Sequence, residues 1–371
     1  MMKKSSYNIV FAGGGTGGHL YPALAVAHEI KRRHSSASIR FVGAERGIET
    51  RLVPEAGFPL KTLPLRGMKG AGPAGKIKAV VAAAMAVLTC LGSMIGSRPD
   101  LVIGVGGYAS GPAVVAARLL MIRTMILEQN HFPGATNRWL AGLVHRICVP
   151  SEAARMRFGN RGEITGNPVR TAFTEIGEPP LAERLSLLVF GGSRGAHSLN
   201  SAMADAAAGL AALPAPPAIV HQTGEADLES VREAYRSNYP HGLAEACAYL
   251  DDMPSRLARA DFVISRAGAT TLAELAAAGR GALLVPYPHA ADDHQRLNAQ
   301  AVVEAGAARM IDDQDLSGDR IAALIAELDG NRMEMGRMGH AARTLAIPDA
   351  TGRITTVAED LLGIRGGADV S

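Results

Sequence analysis

Residues 8–18 read NIVFAGGGTGG, an apolar run that passes directly into a glycine cluster. Such a run predicts a buried strand, and the glycines predict a tight turn into the helix that follows. The same plan returns at residues 185–195, LSLLVFGGSRG. Later in each half another strand meets a glycine turn, at 101–107 (LVIGVGG) and at 262–268 (FVISRAG). This repetition predicts two Rossmann-like domains rather than one large sheet.

The other apolar runs along the chain are also short, and they lie between segments of helical length. Continuous apolar strands separated by helices are typical of parallel sheets that are covered on both faces. The fold class is therefore predicted to be α/β, with doubly wound sheets. The predicted strands are 8–12, 39–43, 101–104, 125–128, 146–150, 185–190, 218–222, 261–265 and 282–286.

The turn at residues 166–168 (GNP) separates the two series of strands. We therefore expect a first domain at 1–166 and a second domain at 167–346. A break at 347–349 (IPD) precedes a C-terminal segment, 347–371, in which apolar residues recur at helical spacing from Ile354 to Leu362. An amphipathic helix must cover its apolar face, so we expect this one to return to the first domain.

The composition excludes several classes of protein. Of the 371 residues, 47% are apolar and 20% are charged, which suits sizeable cores and not a disordered chain. A net charge of +3 on this length is no signature of nucleic-acid binding. The three cysteines are scattered singly, which predicts no disulfide framework and favours a reducing cytosol. The N-terminal apolar run is too short for a signal peptide, so we expect no export.

Residues 79–96 contain no charged side chain and reach the lower limit of a membrane span. Alanine and glycine dominate the stretch, so its drive into a membrane is weak, and we favour a buried helix on a sheet. A third interpretation is an interfacial helix, because an apolar face with a basic margin suits anionic lipid. The basic residues just before it are Arg66, Lys69, Lys76 and Lys78.

The glycine turns at 13–18 (GGGTGG) and 104–109 (GVGGYA) match the dinucleotide fingerprint in form. Glycine lets the backbone approach an anion, and the helix that follows offers unpaired N–H groups. A site for NAD also needs an acid after the second strand, where Glu45 is only loosely placed. No GxxxxGK[ST] P-loop occurs. Four such turns exceed the need of one cofactor, and they suit a cleft between two domains.

Polar side chains follow two strands of the first half. His19 comes directly after the first glycine cluster, where it suits a general base, a helix cap or a phosphate ligand. Residues 128–131 (EQNH) stand at another strand end. They are either active-site groups, which collect at strand ends in open α/β sheets, or a polar loop that caps a helix.

Two motifs in the second half allow similar alternatives. Thr271-x-x-Glu274 forms a capping box, or else the turn 269–271 faces a diphosphate and Glu274 binds both hydroxyls of a ribose. Residues 292–295 (DDHQ) do not predict a metal site, because consecutive side chains point in different directions. We interpret them as a helix N-cap that also presents Gln295 to a ligand.

Taken together, the motifs resemble those of one family, the MurG family of bacterial N-acetylglucosaminyltransferases, which belongs to glycosyltransferase family 28. The resemblance spans nearly the whole chain, and eight motifs in the right order are very specific. They are 13–27 (GGGTGGHLYPALAVA), 104–112 (GVGGYASGP), 128–130 (EQN), 166–170 (GNPVR), 191–196 (GGSRGA), 251–253 (DDM), 266–274 (RAGATTLAE) and 292–299 (DDHQRLNA).

This resemblance implies the GT-B fold, in which two Rossmann-like domains present parallel sheets across a deep cleft. It implies transfer of GlcNAc, with inversion, from UDP-GlcNAc to the C4 hydroxyl of MurNAc in lipid I. The product is lipid II for peptidoglycan synthesis, with consequences for cell shape and division. The first domain is expected to hold the acceptor and meet the membrane, and the second to bind UDP-GlcNAc. No metal and no cofactor are expected.

The resemblance also implies roles for individual residues. Leu250 is expected to contact uracil through its backbone, Glu274 the ribose, and Gln295 and Asn130 the GlcNAc. The implied donor-binding residues are Thr16, Gly17, Gly18, Asn130, Arg170, Ser193, Leu250, Ala269, Thr270, Thr271, Glu274 and Gln295. The implied acceptor-diphosphate residues are Gly104, Gly106, Gly107, Tyr108, Ser110 and Gly111. Our candidate for the general base is His19, with Glu128 as the second choice.

The expected partners are UDP-GlcNAc, lipid I, the anionic cytoplasmic face of the inner membrane, and proteins of cell-wall synthesis; nucleic acid is not among them. The protein is thus expected to be peripheral to that membrane. The stretch 80–95 would face it, although the lack of aromatic residues there predicts weak anchoring. Three other classes stay open at this point: a UDP-GlcNAc 2-epimerase, an NAD-dependent oxidoreductase and a non-catalytic scaffold.

Overall fold

The computed structural model describes residues 6–45, 47–65, 73–179, 182–192 and 195–364, including all their side chains except those of 73–79. These residues form two compact units. Unit 1 comprises the residues up to Val169 together with those from Ile347 onward. Unit 2 comprises Arg170–Ala346, so the chain passes between the units shortly after the turn at Gly166.

Unit 1 is built on a seven-stranded parallel sheet. Its strands are β1 (Asn8–Gly13), β2 (Ser38–Ala44), β3 (Leu60–Leu63), β4 (Leu101–Gly106), β5 (Arg123–Leu127), β6 (Arg146–Val149) and β7 (Gly162–Ile164). Their order is β3-β2-β1-β4-β5-β6-β7. The direction of winding reverses between β1 and β4, and ligands of open α/β sheets bind at such a switch point.

Helices cover both faces of this sheet. They are α1 (Gly17–Arg33), α2 (Glu49–Glu55), α3 (Pro73–Gly96), α4 (Ser110–Leu119), α5 (Ala135–Leu140), α6 (Glu152–Met156) and α15 (Ala350–Leu362). Helices α1, α2 and α15 bury their apolar residues on one face. Helices α3 to α6 bury theirs on the other. A 3-10 turn, Gly159–Arg161, precedes β7.

The C-terminal helix α15 completes the core of unit 1. Ile354 and Val357 are buried there together with apolar residues of α1. Polar contacts fix the same pair of helices, because Glu359 accepts hydrogen bonds from Arg33 at 3.2 Å and from His34 at 2.8 Å. Residues that are more than 300 positions apart in sequence therefore share one hydrophobic core.

Unit 2 repeats the plan with six parallel strands. The strands are β8 (Ser186–Phe190), β9 (Ala218–Gln222), β10 (Ala244–Cys247), β11 (Phe262–Ser265), β12 (Gly281–Leu284) and β13 (Ala308–Met310). Their order is β10-β9-β8-β11-β12-β13, so the winding reverses between β8 and β11. The helices are α7 (Thr171–Thr174), α8 (His197–Ala211), α9 (Leu228–Asn238), α10 (Met253–Arg259), α11 (Ala269–Ala278), α12 (His294–Glu304), α13 (Gly318–Gly330) and α14 (Arg332–Leu345). Two 3-10 turns, Ala291–Asp293 and Asp313–Asp315, join them.

The predicted fold class is confirmed: both units are doubly wound α/β domains with parallel sheets. All nine predicted strands are present, with ends that differ by a residue or two. Four strands were missed, and each of them lies at an edge of its sheet. They are β3, β7, β10 and β13.

Helix α3 departs from our preferred interpretation of residues 79–96. Its residues Ala86, Cys90 and Met94 are buried against the sheet side of unit 1. The expectation of a buried helix on a sheet holds for this side only, because large apolar side chains on the other face are exposed. They are Val80, Val81, Met85, Leu88 and Ile95. Within the part of the chain that the structure describes, no helix has the length and apolarity needed to cross a membrane. Arg66 and Lys69 lie outside the described residues, as do the side chains of Lys76 and Lys78.

Candidate active site

The glycine turns after β1 and β4 interlock at the switch point of unit 1. Gly14 donates its N–H to the carbonyl oxygen of Gly106 at 3.2 Å. A Cβ atom on Gly13 would lie 2.1 Å from that same oxygen, and one on Gly107 would lie 2.5 Å from the carbonyl oxygen of Gly14. These two glycines also have positive φ angles, of 139° and 78°. Only glycine fits here, because the two turns touch backbone to backbone.

The carboxylate of Glu49 fills the space beneath the first glycine turn. It accepts the N–H of Gly15 and the N–H of Ala44, both at 2.8 Å, and the residue is only 1% exposed. Cβ atoms on Gly14 or Gly43 would lie 2.6 Å or less from this side chain. The turn therefore binds an anion that the protein itself supplies. This arrangement opposes a dinucleotide in unit 1, because a pyrophosphate would compete with Glu49 for the Gly15 N–H.

His19 is the third residue of α1, and its ring is held in one orientation. Its Nδ1 lies 2.9 Å from Oε1 of Gln129, whose Nε2 donates to the carbonyl oxygen of Val105 at 3.4 Å. Because the amide oxygen of Gln129 thus faces the ring, Nδ1 carries the proton and Nε2 carries the lone pair. A Cβ atom on Gly106 would lie 2.8 Å from the ring, so this glycine makes room for it. The N-cap of α1 is Thr16, which means that His19 is not a helix cap.

Glu128 is buried, with 2% of the residue exposed, and its carboxylate has four hydrogen-bond donors. One oxygen accepts the backbone N–H and the side-chain amide of Asn130, at 2.8 and 2.9 Å. The other accepts the N–H of Gly134 and the side-chain amide of Asn137, at 3.0 and 2.9 Å. A carboxylate offers about four lone-pair positions, so this one is fully engaged in holding the loop 130–137.

The predicted acceptor loop joins β4 to α4. Tyr108 is half exposed, whereas Ser110, the first residue of α4, is fully buried. A Cβ atom on Gly104 would lie 2.5 Å from the Ser110 hydroxyl oxygen, so that hydroxyl faces the strand. It has no hydrogen-bond partner within the described residues. What this loop can offer an anion is therefore mainly backbone: the N–H groups at the start of α4, close to Gly107 and Gly111.

In unit 2 the start of α11 is open to a ligand. Its N-cap is Gly268, so the capping box proposed for Thr271 and Glu274 does not form, and that alternative is wrong. The first N–H groups of a helix have no partner inside the helix, and glycine has no side chain that could accept them. The N–H groups of Ala269, Thr270 and Thr271 therefore stay available to an anion, which the helix dipole also favours.

Glu274 lies one helical turn further along α11, and burial raises the pKa of its carboxyl to about 7. The positive charge of Arg170 acts in the opposite direction and lowers this pKa. Since Arg170 begins unit 2, the two predicted donor contacts lie within electrostatic reach of each other. The burial that raises this pKa leaves the carboxylate poorly solvated, so it gains from hydroxyl donors of a ligand.

Gln295 is positioned near the start of α12, in its first turn. Its Oε1 accepts the N–H of Tyr287 at 2.9 Å, which leaves the amide NH2 group as the part that can donate to a ligand. Asp293 occupies the N-cap as expected, but its carboxylate makes no capping hydrogen bond. Asp292 and Asp293 both adopt positive φ angles, of 52° and 53°. Such strain in non-glycine residues is typical of functional sites.

Leu250 and Ser193 are the remaining predicted donor residues of unit 2. Leu250 is buried, and its N–H donates to Oε1 of Gln222 at 3.0 Å. Ser193 lies outside the described residues, although Gly192 before it and Gly195 after it lie within them. Within the described ranges, no group of three or more His, Cys, Asp or Glu residues is placed to hold a metal ion.

The structure thus brings His19 together with the second glycine turn in unit 1, and Glu274 together with Arg170 in unit 2. The sequence patterns did not indicate Glu49 or the role of Arg266. That arginine lies in the 266–274 motif but is turned inward, donating to the carbonyl oxygens of Val285 and Pro286 and pairing with Asp313. It shapes the end of β12 and is not available to a phosphate. The position of Arg266 beside a glycine turn is visible in the sequence, but the inward direction of its side chain is not.

Comparison with known proteins agrees with this geometry. Residues 9–149 match the glycosyltransferase family 28 N-terminal domain, and residues 186–354 match the glycosyltransferase family 28 C-terminal domain. Each match begins within the first strand of its unit, and together they cover most of both units.

Individual relatives are similar over almost the whole chain. Proteins of Myxococcus xanthus (strain DK1622) and Syntrophotalea carbinolica (strain DSM 2380 / NBRC 103641 / GraBd1) are 43% and 44% identical to it. The alignments cover 95% and 96% of this chain and 93% and 99% of those proteins. Both are named UDP-N-acetylglucosamine--N-acetylmuramyl-(pentapeptide) pyrophosphoryl-undecaprenol N-acetylglucosamine transferase. The crystal structure of Acinetobacter baumannii MurG superimposes with a TM-score of 0.80 at 29% identity, covering 95% of this chain and 99% of that one.

Proposed function

Because this chain belongs to glycosyltransferase family 28, we propose that it transfers GlcNAc from UDP-GlcNAc to the MurNAc of lipid I, giving lipid II for peptidoglycan synthesis. Lipid I is the MurNAc-(pentapeptide) pyrophosphoryl-undecaprenol in the names of the relatives. The observation that carries this proposal is the identity of about 43% over 95% of the chain. We assign the donor to unit 2 and the acceptor to unit 1.

The donor site of this proposal is the open end of α11 together with its neighbours. The N–H groups of Ala269, Thr270 and Thr271 bind the diphosphate, and Glu274 accepts the ribose hydroxyls. The NH2 group of Gln295 donates to the GlcNAc. Charge builds up on the departing UDP, and preorganised N–H groups at a helix N-terminus stabilise such charge. Ser193 is proposed as a further diphosphate ligand and Leu250 as the uracil contact.

His19 is proposed as the general base. Its Nε2 takes the proton of the MurNAc C4 hydroxyl as that oxygen forms a bond to C1 of GlcNAc. The bond from C1 to the β-phosphate oxygen breaks, and its electron pair leaves with UDP. Attack from the face opposite UDP inverts the configuration at C1. The hydrogen bond from Nδ1 to Gln129 supports this role, because it keeps the lone pair on Nε2 and stabilises the imidazolium that forms.

Glu128 is better suited to positioning than to proton transfer. With four donors on its carboxylate, it has no lone pair left for a substrate hydroxyl unless the loop 130–137 rearranges. We propose that it fixes Asn130, whose implied partner is the GlcNAc. Thr16 is the N-cap of α1, and Gly17 and Gly18 are its first residues. These three residues remain proposed contacts of the GlcNAc.

The acceptor diphosphate is proposed to bind the loop 104–111, through the N–H groups at the start of α4 and the half-exposed Tyr108. The undecaprenyl chain requires contact with a bilayer, and the exposed apolar face of α3 supplies a suitable surface. Trp139 of α5 is also exposed, and α5 covers the same face of the sheet as α3. Indole rings favour membrane interfaces. We therefore propose that the protein attaches peripherally to the cytoplasmic face of the membrane. We expect this attachment to be stronger than the sequence of α3 alone predicts.

The test is transfer of radiolabelled GlcNAc from UDP-GlcNAc to a short-chain lipid I analogue in the presence of EDTA. A β1,4-linked product supports donor, acceptor and metal-independent chemistry together. Binding of UDP-GlcNAc without product would favour an epimerase or a scaffold. Failure of the folded protein to bind UDP-GlcNAc would overturn the proposal. An NAD-dependent oxidoreductase would instead bind NADH, which Glu49 opposes in unit 1.

A further inference from the structure

The buried side chain of Gln222 connects two loops of unit 2. Gln222 is the last residue of β9 and is 2% exposed. Its Nε2 donates to the carbonyl oxygen of Gly192 at 2.9 Å. Its Oε1 accepts the N–H of Leu250 at 3.0 Å. The two bonds together fix which way the planar amide faces, because only the oxygen accepts and only the nitrogen donates.

The loop that contains Gly192 also packs against the end of β9. The carbonyl oxygen of Gly192 accepts a second hydrogen bond, from the N–H of Gly195 at 2.9 Å. A Cβ atom on Gly195 would lie 1.8 Å from the carbonyl oxygen of Thr223, so Gly195 is packed directly against the residue that follows Gln222. A shift of Gln222 would therefore move Gly192 and Gly195, which precede α8.

We infer that Gln222 is a positioning residue that couples the uracil contact at Leu250 to Gly192 and Gly195, the described residues on either side of the proposed diphosphate ligand, so that nucleoside and diphosphate are held in one fixed relation. The inference rests on the proposed function. The hydrogen bond to Gln222 also restricts which backbone atom of Leu250 can contact a base. Since its N–H is donated to Gln222, the backbone contact falls to its carbonyl oxygen, which is an acceptor. Uracil carries a hydrogen on N3 and can donate to this oxygen, whereas N3 of cytosine carries none.

The test compares nucleotide binding by the full-length protein and by a Gln222→Met variant, which keeps the length of the side chain and removes both hydrogen bonds. Dissociation constants are measured by calorimetry for UDP, UMP and CMP. We expect UDP binding to weaken about tenfold, a typical cost of unpairing buried groups. We also expect the preference for UMP over CMP, and the preference for UDP over UMP, each to fall about threefold or more.

The matched control is Tyr239→Phe. The Tyr239 hydroxyl donates to the carbonyl oxygen of Pro217 at 2.6 Å, just before the start of β9 and thus at the opposite end of the strand. This variant also loses a buried hydrogen bond in unit 2, so its melting temperature falls. Its two nucleotide preferences should equal those of the wild type. A purely structural role of Gln222 would give the same pattern in Gln222→Met, and that result would overturn the inference.

A second variant, Gln222→Glu, separates the two connections. A carboxylate still accepts the N–H of Leu250 but repels the carbonyl oxygen of Gly192. We expect the preference for UMP over CMP to survive and the preference for UDP over UMP to fall. Loss of both preferences, or of neither, contradicts the inference, and this variant decides the matter if Gln222→Met does not fold. If the wild type itself binds no UDP, it is the proposed function that has failed.

Discussion

Replacing Glu274 by glutamine should stabilise the protein at alkaline pH while it weakens binding of the nucleotide sugar. Burial raises the pKa of this carboxyl from an ordinary 4.5 to about 7. In the unfolded chain the group loses its proton near pH 4.5, whereas in the folded protein it keeps it until about pH 7. Stability is therefore lost as the pH rises through this window, because the folded state binds more protons than the unfolded state.

The size of the effect follows from the shift. A difference of about 2.5 pH units, at about 1.4 kcal/mol per unit, gives an upper limit of about 3 kcal/mol at pH 8. Glutamine carries no charge and does not incur this cost. For a domain the size of unit 2, the variant should melt about 5–10 °C higher than the wild type at pH 8. At pH 4.5 the two proteins should melt at nearly the same temperature.

Binding should change in the opposite direction. A carboxylate accepts hydrogen bonds from both ribose hydroxyls, while the glutamine side chain offers one oxygen and one donor. We expect UDP-GlcNAc to bind about tenfold or more weakly to Glu274→Gln at pH 8, a loss typical of hydrogen bonds to charged groups. Wild-type affinity should rise between pH 6 and 8, and that of the variant should stay flat.

Differential scanning calorimetry and titration calorimetry at several pH values measure both effects. The matched control is Glu229→Gln, which alters an exposed carboxylate on α9 of the same unit. It should shift neither the melting temperature nor the affinity beyond small limits. Equal melting shifts of Glu274→Gln at pH 4.5 and pH 8, or unchanged binding of UDP-GlcNAc, would refute the reasoning.

Three further changes test other parts of unit 1. His19→Ala should lower kcat by about a hundredfold or more while UDP-GlcNAc binding stays within about twofold, as expected for a general base; equal losses would identify a binding residue. Glu128→Gln places a donor among four donors and should cost about 1–3 kcal/mol of stability. Its residual activity should keep the wild-type pH profile, and loss of the limb that reports the base would favour Glu128 as that base. Leu88→Asp, on the exposed face of α3, should reduce binding to anionic vesicles without lowering turnover of a water-soluble acceptor analogue; parallel losses of both would speak against a membrane role.

The central strands of both sheets could be predicted because they are buried on both faces and therefore read as continuous apolar runs. The four edge strands could not be predicted in this way. Residues 60–63 (LKTL) and 244–247 (AEAC) mix polar and apolar side chains, since one edge of each strand has no neighbouring strand. Each edge strand forms by pairing with the strand beside it. The local pattern of residues does not indicate which strand that is.

The candidate site shows the same division between local and distant information. The glycine turns and His19 were visible because strand, turn and helix follow one another in sequence. The capping box at Thr271 was a local pattern that failed, because α11 begins at Ala269 with Gly268 as its N-cap, which places Thr271 inside the first turn. Glu49 and Gln222 could not be found from spacing, because Glu49 binds the first glycine turn and Gln222 binds Gly192 and Leu250, all about 30 positions away. Helix α3 was misjudged because alanine-rich sequence suits both a buried and an exposed face.

The position of α15 has a consequence for how the protein is made. The core of unit 1 lacks the side chains of Ile354 and Val357 until the segment that follows unit 2 has been synthesised. In sequence, unit 2 lies between the two segments of unit 1. It is therefore synthesised completely while the apolar residues of α1 that pack against α15 are still uncovered. Domains generally fold as units during synthesis. Here the unit that begins first must finish last, and a nascent chain stopped before residue 347 would leave that core open to chaperones.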